Sequence, residues 1–173
     1  MASEVAGTAE QKLRAESLIK SYVMAAAAAS IVPLPLFDLA AITAVQMRMI
    51  QKLAEMHGKT FSEAPVRNTI VSLAGGIIGP NAGAIAAISL SKLIPGIGWM
   101  IGLASMPVVV GASTYAIGQV FREHFEDGGS VYDISVGAMR RTYEEQLGKG
   151  RQLVDAAKAG LHKHTAPGGQ TAA

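Results

Sequence analysis

Apolar positions step by three and four along three stretches of the chain and fill two others almost without interruption. In the first stretch Ala15, Leu18, Tyr22, Ala25, Ala29 and Val32 share one helical face. Thr8 with Gln11 three residues later fits a capping box, so a helix is predicted from about Ala9 to Ile31. The run "AAAAAS" within it would let another backbone approach closely. Pro33 and Pro35 end this helix and open the next. Leu39, Ile42, Gln46, Met49, Leu53 and Met56 line a second helix, from about Phe37 to His57. Asp38 complements the dipole in its first turn, and Gly58 is placed as its C-terminal cap. Ser62 then reads as an N-cap, with Pro65 tolerated in the opening turn that follows.

The middle of the chain is different. No charged residue occurs from Asn68 to Ser91, and after Lys92 none occurs from Leu93 to Phe121. The link "KLIPGIG" is turn-like, so residues 68–121 read as an apolar hairpin. Gly79-Pro80-Asn81 would divide its first arm into two short helices, and Pro107 would kink its second. "REHFEDGGS" closes the hairpin with charge and a Gly-Gly turn. A last helix is predicted from Ser130 or Val131, with Met139, Tyr143, Leu147, Gly150, Val154, Ala157 and Leu161 as its stripe. Glu145 with Lys149, and Arg151 with Asp155, have the spacing of surface ion pairs. Residues 1–7 read as a flexible N-terminus, 8–162 as the helical domain and 163–173 as a disordered tail.

Two environments suit the hairpin. Each arm is long enough in principle to cross a bilayer, which takes about 20 apolar residues. Lys52, Lys59 and Arg67 precede it, Arg122, Arg140 and Arg141 follow it, and Lys92 alone lies at its tip. Insertion would therefore leave both termini cytoplasmic. Gly75, Gly79 and Gly83, and again Gly98 and Gly102, recur every fourth residue, a spacing that lets helices pack closely. Against a simple span, the Pro80-Asn81 break needs protein or water to satisfy its backbone. The other environment is a soluble bundle or oligomer in which the amphipathic helices wrap the hairpin.

Composition changes the picture little. Half of the 173 residues are hydrophobic and 16% are charged, against roughly 25% charged in a typical soluble domain. With 19 glycines and few aromatics, the profile suits close-packed helices over sheets. A net charge of +2 gives no electrostatic case for nucleic acid. The absence of cysteine excludes disulfides, thiolate metal sites and Cys nucleophiles.

Candidate chemistry is sparse. His124 stands near Glu123, Glu126 and Asp127, where a weak metal site competes with a capped helix end. His162 and His164 belong to the tail. There is no P-loop, no Glu-x-x-His pattern and no nucleophile motif. Met24, Met47, Met49 and Met56 suit a soft metal or an adaptable groove, but at helical spacing they read first as core filler. Gln46, on an otherwise apolar face, either makes an interhelical hydrogen bond or marks the edge of the stripe.

"SIVPLPLFDLAAITAVQMRMIQKLAEMHGKTFSE", followed by "SKLIPGIGWMIG" and "STYAIGQVF", is similar to the YcjF-like family of unknown function. The matching positions include Pro33, Pro35, Asp38, Gln46, Met49, Gly58, Lys92, Pro95, Gly96, Gly98, Thr114, Tyr115 and Gly118. The resemblance covers about residues 25–125. It implies a bacterial, membrane-associated helical domain, found fused to or encoded beside GTPase domains, with no established activity. This chain carries no GTPase domain, so any nucleotide would be bound by a partner.

The expectation is an all-α, single helical domain of about six helices with a central glycine-rich hydrophobic hairpin. It is expected to be a non-enzymatic scaffold or adaptor without a cofactor. It would self-associate through Gly75, Gly79, Gly83, Gly98 and Gly102, with membrane lipid and a GTPase as candidate partners. The place expected is the cytoplasmic face of, or within, the bacterial inner membrane. The alternative is a soluble cytoplasmic assembly that buries the hairpin between subunits.

Overall fold

The computed structural model describes residues 2–30, 37–78 and 97–165, with side chains described for 8–30, 41–74 and 106–160. Among these residues the protein is five α-helices and no strand: α1 (Ala2–Ala29), α2 (Phe37–Met56), α3 (Glu63–Ile78), α4 (Ile97–Glu126) and α5 (Val136–Thr165). The all-α expectation holds. Its disordered tail, except for the part up to Thr165, lies outside the described residues.

Two helix boundaries differ from expectation. α1 starts at Ala2 and not at the Thr8 box, because Ala2, Glu4 and Ala6 are strong helix formers that outweigh Gly7. Gln11 does not close the box; its Nε2 donates to the carbonyl of Met56, 2.7 Å away. α5 starts at Val136, five residues beyond Val131. There Ser135 acts as the N-cap, its Oγ accepting from the Ala138 N–H at 3.5 Å. The preceding residues are held in a turn by Asp133, whose Oδ1 accepts from the Ser130 N–H at 2.7 Å.

Local turn chemistry sets one end of the bundle. Gly58 has φ +64° and Gly128 φ +91°. Each follows a helix that ends in a Schellman arrangement. Lys59 N–H donates to Ala54 O at 2.8 Å and Gly129 N–H to His124 O at 2.9 Å. Lys59 Nζ also donates to the Gly128 carbonyl, tying the two loops together. The His57 and Phe125 rings meet beneath them, 6.1 Å apart. The α2–α3 and α4–α5 loops therefore share an end with the N-terminal half of α1.

Helix α4 is the centre of the bundle. Ala112, Thr114, Ala116, Ile117 and Phe121 are fully buried, and α1, α2 and α5 all pack on it. The lower part of the expected hairpin's second arm is thus wrapped by the amphipathic helices. The helix runs on through Pro107 to Glu126. α2 buries Gln46, Met49 and Leu53 as its stripe predicts, and α5 buries Met139, Tyr143 and Val154. In α1 the buried face is rotated from the predicted one. It carries Ala15, Ile19, Val23, Ala26 and Ser30, while Ala25 is exposed. A run of alanines holds no polarity with which to mark a side, so the neighbouring helix chose it.

Candidate functional site

Three kinds of contact hold α4 to its neighbours. The first is steric. A Cβ on Gly150 of α5 would lie 2.8 Å from both Cα and O of Ala112, so here α5 meets the backbone of α4 directly. A Cβ on Gly111 would lie 2.6 Å from Val154 Cγ2, and it would also touch Ala27 and Val23 of α1. One on Gly118 would lie 2.9 Å from Ile19 Cγ2. Gly111 and Gly118 are seven residues apart on α4, two helical turns, and both face α1. The "AAAAAS" run does admit a close neighbour, through Ala27 opposite Gly111.

These glycines are not the ones the four-residue spacing nominated. Gly75 lies in α3, and Gly98 and Gly102 lie in α4, with their surroundings outside the described side chains. Gly79 and Gly83, with the Gly-Pro-Asn break and the hairpin tip, lie outside the described residues. The signal for Gly111 and Gly118 was a seven-residue step, weaker to the eye than a four-residue one. Gly150 stood in the predicted stripe of α5, with nothing in the stripe to mark it as a backbone contact.

The second kind of contact is polar and buried. Gln46 is 4% exposed and Thr114 is fully buried. Gln46 Nε2 donates to Thr114 Oγ1 at 3.1 Å, joining α2 to α4. On the opposite flank, Tyr143 of α5 and Ser113 of α4 share a hydroxyl hydrogen bond of 2.9 Å. Burial pushes the Tyr143 hydroxyl above the usual phenol range.

The third is a charged seam between α1 and α4. Gln119 Nε2 donates to Glu16 Oε2 at 2.5 Å, and Tyr115 hydroxyl donates to Glu16 Oε1 at 3.4 Å. Arg122 lies 3.8 Å from Glu16 and 3.7 Å from Glu126. Lys20 and Lys12 of α1 extend the seam to Glu16 and Glu126. Partial burial, then the Glu16 charge, raises the Tyr115 pKa. Of this seam the sequence singled out Tyr115, Arg122 and Glu126, for other reasons; the helical spacing of 12, 16 and 20 against 115, 119, 122 and 126 was the available signal.

His124 is a latch at the loop end. Its Nε2 lies 2.9 Å from Ser130 O and 3.0 Å from Asp133 Oδ1, and its ring packs where a side chain at Gly129 would go. Asp133 has its carboxyl held below the usual range, first by the Ser130 N–H and further by His124. Glu123 turns elsewhere, accepting from Gln146 Nε2 at 3.4 Å. Among the described residues no three His, Asp or Glu side chains gather to hold a metal ion. On the surface of α5, Arg141 lies 3.7 Å from Glu145; the expected Glu145–Lys149 and Arg151–Asp155 bridges do not form.

The axial distribution of charge is the broadest feature. Charges on α1 end at Lys20; on α2 they are absent from Leu39 to Met47; on α3 they end at Arg67; on α4 they begin only at Arg122. The helix directions put these four charge-poor ends together, away from the Gly58 and Gly128 loops, with Asp38 in the first turn of α2 as the charge they carry. α5 carries more charge toward that end, at Asp155, Lys158 and Lys163. Met24, Val71 and Val109, on three of those helices, are exposed by 42%, 61% and 49%. Among the described residues no helix is long and apolar enough to cross a membrane.

Residues 3–152 match the family described as a domain of unknown function, DUF697. The chain belongs to the DUF697 family. This match does not extend to the narrower YcjF-like name. The chain is also 56% identical, over 147 residues, to the magnetosome membrane protein 22 of Magnetospirillum gryphiswaldense. That alignment covers 85% of this DUF697 chain and 75% of the relative. No solved structure matches it.

Proposed function

We propose that this DUF697 protein is a non-enzymatic, membrane-associated scaffold or adaptor. The charge-poor end of the four-helix cluster would engage the bilayer, and the charged loop end would face the aqueous side and a protein partner. The observation that carries this is the segregation of charge along the bundle axis. A bilayer disfavours charge and unsatisfied backbone but accepts the apolar ends of packed helices. The name of the relative, a magnetosome membrane protein, supports a bacterial membrane as the site of action.

Within this reading Gly75, Gly79, Gly83, Gly98 and Gly102 would serve helix contacts between subunits or at the membrane, and the partner at the loop end would be a GTPase. Vesicle flotation tests the membrane part. The protein should rise with neutral phosphatidylcholine vesicles, and carbonate should fail to extract it from cell membranes. Release by carbonate together with failure to float would favour the soluble assembly, in which a second subunit covers the charge-poor end.

A further inference from the structure

Among the described residues, the outer face of α5 packs against no other helix. Gly137, Arg141, Glu144, Glu145, Gly148, Arg151, Gln152, Asp155 and Ala159 are all exposed. Gly137 and Gly148 have open space where a side chain would go. Nothing inside the monomer calls for glycine there, and glycine is a poor helix former.

The charges on this face are self-complementary. Arg141 and Asp155 stand seven residues before and after Gly148, and Glu144 and Arg151 four before and three after. At about 100° and 1.5 Å per residue, Arg141 and Asp155 lie within roughly 20° of the Gly148 direction, on opposite sides. Glu144 and Arg151 lie together on one flank, and Glu145 and Gln152 together on the other. Turn a second α5 end over end about Gly148, and each of these residues meets its complement. Arg141 faces the partner copy's carboxylate at 155, Glu144 the guanidinium at 151, and Glu145 the amide at 152. Gly137 and Ala159 meet at the ends, at a spacing of 11 residues from Gly148 on either side, a period that suits nearly straight helices. The parallel arrangement instead sets each charge beside its own copy.

We infer that two copies of this chain pair through antiparallel α5 helices about a two-fold axis at Gly148. The pairing rests on the self-associating part of the proposed function and not on its membrane part. α5 lies across α4 from α2 and keeps its charges along its whole length, so this interface stays in water whichever way the charge-poor end is covered. Such an isologous contact needs only one patch, used twice. The Arg141–Glu145 contact within one helix is 89% and 63% exposed at its two side chains, so it yields readily to a partner.

Because the chain contains no cysteine, one introduced thiol reports alone. The full chain with Gly148→Cys should form a disulfide-linked dimer on mild oxidation. Gly137→Cys should give at least about tenfold less, because two copies of residue 137 would lie roughly 33 Å apart, beyond disulfide reach. Arg141→Asp or Asp155→Arg alone should weaken dimerisation about tenfold, measured by sedimentation, and the double exchange should restore it. Equal linking at 137 and 148, no linking at 148, or a double variant no tighter than the singles would overturn the pairing. Flotation of the same variants on phosphatidylcholine vesicles reads the membrane proposal separately: loss of dimer with unchanged flotation is expected.

Discussion

The two faces of α4 show two ways of joining the same helix to a neighbour. Toward α5 the contact is close and mostly apolar: Gly150 lies on the Ala112 backbone, Gly111 receives Val154, and two polar pairs, Ser113 with Tyr143 and Glu123 with Gln146, cross. Toward α1 the contact changes character along its length. Near Gly111 it is small and apolar, while from Tyr115 to Glu126 it is a ladder of carboxylates, cations and an amide. Where backbone touches backbone, no side chain can relax to absorb a change. Where long side chains meet, neighbours and water can compensate. The first contact should be intolerant and the second forgiving.

The strongest test of that difference is Gly150→Ala. The added methyl would meet Ala112 Cα and O at 2.8 Å, backbone that cannot turn aside, so unfolding stability by chemical denaturation should fall by about 2–3 kcal/mol. Gly118→Ala meets the side chains of Ile19 and Met49 and no backbone and should cost about 1 kcal/mol, because side chains can move. Equal losses at the two positions would break the distinction. Gln46→Leu should cost about 1–2 kcal/mol, since it removes the donor to a buried hydroxyl and leaves Thr114 without that partner. In the seam, Glu16→Gln should cost about 1 kcal/mol or less, the carboxylate being a quarter exposed and its partners numerous.

The smallest effect belongs to the loop end and is seen through pH. Asp133 has a folded pKa below its ordinary value. Its contribution is therefore present above the unfolded carboxylate pKa of about 3.9 and is lost as pH falls through the lower folded value. Asp133→Asn should lower stability slightly at neutral pH, and the two proteins should converge in acid. A constant difference across that range would show that the Ser130 turn does not depend on the charge.

Local chemistry was legible along the chain. Gly58 was readable as a cap because a left-handed residue after a helix is a one-residue requirement. Ser62 and Pro65 announced α3 for the same kind of reason. Gln46 stood out as a polar residue on an apolar stripe, and what it bonds could not be read, because Thr114 is 68 residues away. His124 was noticed for its acidic neighbours in sequence, yet its partners are the turn at Ser130 and Asp133. The start of α5 was misplaced because Ser130 and Ser135 are equally good caps, and only the His124 latch selects the second.

The amino-acid sequence by itself determined that the chain is helical, roughly where its helices end, and that charge is excluded from a long central tract. Those follow from propensity, capping and periodicity, which act over a few residues. The tertiary structure decided which glycines bring backbones together, which side of the alanine run is buried, and that the charge-poor ends of four helices gather at one pole. Each of these depends on what lies opposite, and no residue carries in its own identity the backbone it will meet.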